Sequence, residues 1–167
     1  MVVLDHIVRL AQPWAVLFAN TPALQTVTTF AHFGGFLLGG GFAIAADGAT
    51  IRAARRIDRK RRRQLAHIHA IHRVVLAGLA LTLLSGVLMF AADVEAFATS
   101  LVFWTKMGLV LLLLANGGLM TLTESALRAG TTAPDSGWQR MRLAAVCSFV
   151  LWFAAVLAGT VLVNPGA

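Results

Sequence analysis

Four long apolar runs, separated by short segments that hold most of the charge, constrain this chain more than any other feature. They cover about residues 23–46, 74–92, 101–123 and 143–163. A helix needs about 20 predominantly apolar residues to cross a hydrocarbon core about 30 Å thick, and each run is of that order. Of the 167 residues, 58% are hydrophobic and 13% charged, and the mean hydropathy is +0.77. A soluble domain carries about a quarter charged residues and would spread them over its surface. The expected fold is all-α: one integral membrane domain over residues 1–167, an up-down four-helix bundle. Loops this short force sequential helices to run antiparallel.

The charges set an orientation. The segment from Asp47 to Arg73 holds Arg52, Arg55, Arg56, Arg59, Lys60, Arg61, Arg62, Arg63 and Arg73, and the segment from Glu124 to Arg142 adds Arg128, Arg140 and Arg142. Both fall on one side of the spans, which takes twelve of the 14 basic residues. The opposite loop, Ala92 to Ser100, carries Asp93 and Glu95 and no basic residue. Basic loops stay cytoplasmic, so the arginine-rich hairpin is expected to face the cytoplasm and both termini to lie outside. The net charge of +7 therefore reads as a topology signal rather than a nucleic-acid footprint. The cluster from Arg52 to Arg63 would lie against anionic lipid headgroups. Trp104 and Trp138 fall near the outer and inner boundaries, where interfacial indoles belong.

Ahead of the first span, residues 2–20 are mildly amphipathic and read as a short helix in the membrane interface, interrupted at Pro13. Thr21 is placed to cap the helix that opens at Pro22. The start lacks a basic region and an early small-residue cleavage site, so no removable signal peptide is expected. One cysteine, Cys147, excludes an internal disulfide and a cysteine cluster. In its apolar run it reads as a small buried hydrophobe.

Polar groups inside apolar spans are expensive and mark candidate sites. His32 lies eight to ten residues into the first span and shares a helix face with Gly35, Phe36 and Gly39. An imidazole beside glycines offers a ligand next to open space, which suits a flat macrocycle, and a neutral imidazole is the usual haem-iron ligand; the other reading is a histidine bonded to a neighbouring helix. Lys106 enters the third span at a similar depth. It either snorkels to the headgroups or turns inward to pair with an anion such as a haem propionate. His67, His69 and His72 sit at the inner mouth of the second span. His69 and His72 share a face and could begin a metal site, and His72 could be a second ligand opposite His32, although the two differ in depth. Asn116 reads as interhelical glue and Glu124 as a solvated group at the inner boundary. Gly35-x-x-x-Gly39 and Gly78-x-x-x-Thr82-x-x-x-Gly86 are small-residue stripes suited to close helix contact.

His32 followed by Gly35, Asp47 with arginines after it, Gly78 with Ser85-Gly86-x-x-x-Phe90, Phe103-Trp104-x-Lys106-Met107 and Asn116 together resemble a broad group of small bacterial four-helix membrane proteins. It includes the copper-resistance CopD-like proteins, the HemJ-type protoporphyrinogen oxidases and uncharacterised families, and the likeness covers about residues 22–125. The resemblance implies bound haem b, with required roles at His32 and Lys106. The chain departs from the oxidases at Phe42-Ala-Ile-Ala-Ala-Asp47, where they carry an aromatic and arginine-containing segment. It also lacks the external histidine and methionine clusters of a copper importer. The function expected is a haem b-binding membrane protein in electron transfer or porphyrin-related redox chemistry, with His32, Lys106, Gly35 and Gly39 around the cofactor and His32 and His72 as metal ligands. The alternative is a non-enzymatic accessory subunit docking with other membrane subunits.

Overall fold

Each apolar run lies within a helix longer than itself. The computed structural model describes the backbone of residues 2–55 and 59–164 and the side chains of residues 3–55 and 71–164. Six helices make up the described chain: α1 (Val2–Ala19), α2 (Pro22–Ala54), α3 (Arg59–Ala92), α4 (Val94–Thr99), α5 (Leu101–Ala129) and α6 (Pro134–Val163). Among the described residues there is no strand. Four helices, α2, the Ile71–Ala92 part of α3, α5 and α6, are long and apolar enough to cross a membrane.

Several boundaries differ from those read in the sequence. Instead of ending at Asp47-Gly48, α2 runs seven residues further, to Ala54, because its small-residue face continues through Asp47, Thr50 and Ala53, all buried. α3 starts within the arginines, at Arg59, since arginine is a good helix former. The hairpin is thus mostly two helix ends. The side chains of residues 56–70, with most of the arginine cluster and with His67 and His69, lie outside the described residues. α1 passes through Pro13 without a break; a missing N–H removes one helical bond, not the helix. Thr21 is the N-cap of α2 but makes no side-chain cap bond; Pro22 in the first turn stiffens the start instead.

The packing is uneven. α2 lies along α3, α5 along α6, and α2 against α6, while α3 and α5 share no comparable interface. Gly35, Gly39 and Gly78 bring α2 and α3 together. A Cβ on Gly35 would stand 2.8 Å from both the Gly78 carbonyl oxygen and Thr82 Oγ1, and one on Gly78 would collide with the Gly39 backbone nitrogen. α3 and α5 meet through side chains at two levels. Near α4, Phe90 stacks on Phe103 with centroids 5.3 Å apart. Near the arginines, His72 Nε2 lies 3.3 Å from Thr121 Oγ1. α1 is fastened to α3 by the Trp14 indole N–H, which donates to the Leu88 carbonyl at 2.8 Å.

The best-packed core is at the arginine end, where Ala53 of α2, Met120 of α5 and Trp138, Met141, Ala144 and Ala145 of α6 close on one another. Trp138 is therefore a core residue, 3% exposed, and not the boundary indole its position suggested. The reason is that α6 begins at Pro134, so Trp138 has a full helical turn behind it and faces α5. Cys147 points the other way, onto the outer apolar surface, because Ala144, Ala145 and Ser148 take the inward face.

Candidate functional site

Two polar clusters lie within these apolar helices, one toward each end. The first, toward α4, is built on His32. Its Nδ1 is 2.9 Å from the Thr82 carbonyl oxygen. A carbonyl only accepts, so Nδ1 carries the proton, and the tautomer leaves Nε2 with a free lone pair. Ser85 Oγ lies 3.3 Å from the same nitrogen and spends its own hydrogen on the Leu81 carbonyl at 2.6 Å. The ring rests over Gly86, where a Cβ would meet His32 Cε1 at 3.1 Å. One turn of α3 thus supplies the seat, the anchor and the orientation of the imidazole.

Lys106 turns inward from α5. Its Nζ comes within 3.4 Å of where a Cβ on Gly159 of α6 would stand, so Gly159 makes the room it occupies. Among the described residues Lys106 has no hydrogen bond or ion pair. The open space expected beside Gly35 and Gly39 is not realised, because Gly78 and Thr82 fill it.

The second cluster, toward the arginines, surrounds a cavity of about 310 Å³ bounded by α2, α3, α5 and α6. Asp47, 3% exposed, accepts a hydrogen bond from Ser148 of α6, while its Oδ2 is enclosed and has no hydrogen-bond partner among the described residues. Thr50, His72, Thr121 and Trp152 share the wall. Below the cavity Glu124 is buried, 5% exposed, not solvated as its boundary position suggested. Arg128, one turn on, accounts for this: its Nη2 and Nε stand 2.7 and 2.9 Å from Glu124 Oε1. His72 Nδ1 is 3.9 Å from the other carboxylate oxygen. Asn116 ties α5 to α6 by donating to the Ala144 carbonyl at 2.9 Å, the glue its position implied.

His32 and His72 are not brought together. His32 faces Thr82, ten residues along α3 from His72, about 15 Å of helix rise. Among the described residues no three His, Cys, Asp or Glu side chains gather as a metal site. Gly159, the Thr82 carbonyl as the anchor of His32 and the buried state of Asp47 went unread in the sequence. For Asp47 a signal existed: Gly40, Ala43, Asp47, Thr50 and Ala54 keep helical spacing past the apparent end of the span. No family model, curated protein or solved structure matches the chain.

Proposed function

We propose that this is a haem b-binding protein of the bacterial inner membrane, serving electron transfer or porphyrin-related redox chemistry, with His32 as the iron ligand. The observation that carries the reading is the Nδ1–H bond from His32 to the Thr82 carbonyl. Ligating histidines characteristically donate their second ring N–H to a carbonyl or carboxylate, which fixes the ring and raises the basicity of the ligating nitrogen. Lys106, a half-buried cation without an anionic partner among the described residues, suits a propionate. The motif resemblance at His32, Ser85-Gly86 and Phe103-Trp104-x-Lys106 points the same way. Gly35 and Gly39 serve the α2–α3 seam in this reading and leave the cofactor to the His32–Lys106 side. Haem b would supply a one-electron couple. The chain's own residues hold the imidazole in one tautomer, place a positive charge beside it and keep both within apolar helices.

In the same proposal the four apolar helices form an up-down bundle across the bilayer, with both termini outside and the arginine cluster against anionic lipid on the cytoplasmic side. Outward side chains such as Phe30 and Leu37, each 76% exposed, suit hydrocarbon as a solvent.

The test is the visible spectrum of dithionite-reduced protein purified after haem-replete expression. A Soret band is expected, together with its loss in a His32→Ala variant that still elutes as a single species. A wild-type protein without the band, or a variant that keeps it unchanged, overturns the assignment.

A further inference from the structure

The cavity at the arginine end has no part in that reading, and its chemistry is specific. Its wall is largely apolar, formed by residues such as Val75, Leu79 and Leu113. The polar groups on it have mostly spent their hydrogens. The Thr121 hydroxyl donates to the Gly117 carbonyl at 3.0 Å, and Ser148 bonds to Asp47. What is left unfilled is an acceptor, Asp47 Oδ2, enclosed and without a partner among the described residues. A buried carboxylate oxygen calls for a donor, and preferably a positive one. Arg128 is committed to Glu124, and among the described residues no cation bonds to Asp47 Oδ2.

Access is lateral. The cavity lies between α3 and α5, which among the described residues meet through side chains rather than along a close-packed seam. Between the Phe90–Phe103 stack and the His72–Thr121 contact, α5 presents Gly117 and Gly118, beside which a Cβ would meet nothing within 4 Å. Outside this opening stand exposed apolar side chains, Leu76 at 58% and Leu111 at 67%. A ligand arriving this way travels through an apolar phase and has an apolar body. At the closed end, Trp152 offers an aromatic surface near the carboxylate, and ring faces attract cations.

We infer that the cavity between α3 and α5 is a binding site for an amphiphilic organic ammonium ion, whose N–H donors meet Asp47 Oδ2 and whose apolar body lies along Trp152 and the leucines. A neutral carbonyl compound complements the wall less well, since it brings a further acceptor to a site that lacks a donor. An inorganic cation would need several oxygen ligands, and among the described residues the cavity presents one free carboxylate oxygen on an apolar wall.

The experiment uses the full chain in lipid nanodiscs and dicyclohexylcarbodiimide, an apolar reagent that modifies membrane-buried carboxyls, with Asp47 followed by peptide mass spectrometry. Benzylammonium, benzyl alcohol and sodium chloride are compared as protectants at matched ionic strength. A ligand present at about ten times its Kd leaves about a tenth of the sites free, so benzylammonium is expected to slow labelling of Asp47 about tenfold. Benzyl alcohol and sodium are expected to leave the rate unchanged. Direct binding of radiolabelled benzylammonium should be lost in Asp47→Asn, which keeps side-chain size, and kept in His32→Ala. The inference is overturned if Asp47 is not labelled, if benzylammonium gives no protection, if sodium protects equally, or if Asp47→Asn binds as the wild type does. Retention in His32→Ala separates this result from the fate of the haem reading.

Discussion

Glu124 and Arg128 show how much of this molecule turns on single side chains. The carboxylate of Glu124 is 6% exposed and the guanidinium of Arg128 is 45% exposed, so the pair has one buried and one wet member. Removing the wet member leaves a buried carboxylate whose remaining charged neighbour among the described residues is His72, at 3.9 Å. Removing both charges leaves neither problem. Arg128→Ala is therefore expected to lower stability by about 2 kcal/mol, and Glu124→Gln with Arg128→Ala by less than the single change. Thermal unfolding in mild detergent, followed by circular dichroism, reads both; a double variant less stable than Arg128→Ala would contradict the argument. The spacing of the pair, Glu-x-x-x-Arg on one helix, was legible in the sequence. Its burial was not, because that depends on α6 beginning early enough to set Trp138 and Met141 against α5. The inward turn of Lys106 was likewise open in the sequence, since only the position of Gly159 on a neighbouring helix decides it.

At the scale of elements, the α2–α3 seam is the contact that the sequence specified most directly. The small-residue stripes through Gly35, Gly39 and Gly78 marked close approach, and that is where the helices touch. The same stripes misled about the site, because a glycine makes space for a ligand or for a helix with the same signature. Gly78→Ala is expected to force α3 off the Gly39 backbone and destabilise by about 1–3 kcal/mol. Gly41 and Gly108 meet nothing within 4 Å of an added Cβ, so Gly41→Ala and Gly108→Ala should change stability by less than about 1 kcal/mol, toward stabilisation through helix propensity. Chemical denaturation of the three variants side by side checks the ordering. If Gly78→Ala matched the other two, the seam would not depend on backbone contact. Helix ends were the least legible part of the elements. Hydropathy reports where apolar side chains stop, whereas a helix continues as long as its backbone and one inward face are satisfied, as Asp47, Thr50 and Ala53 show for α2.

For the whole molecule, the sequence carries two independent signals, the apolar runs and the distribution of charge, and the helices are consistent with both. Arg52, Arg55, Arg73, Arg128, Arg140 and Arg142 lie at one end of the four long helices, and α4 with Asp93 and Glu95 lies at the other. Twelve of 14 basic residues on one side is the asymmetry that holds loops in the cytoplasm. The orientation can be read chemically, because Cys147 is the one native thiol and its removal gives a silent background. Glu95 in α4 and Ala133 between α5 and α6 are both exposed, which makes them matched reporters for the two ends. On a Cys147→Ala background, Glu95→Cys is expected to react with a membrane-impermeant maleimide added outside the inner membrane, and Ala133→Cys only once that membrane is opened. The reverse pattern would put the arginines outside and refute the orientation. Equal reaction at both positions without opening the membrane would refute the proposed bilayer-spanning arrangement itself, because in that arrangement only the bilayer keeps the reagent from one end of the helices.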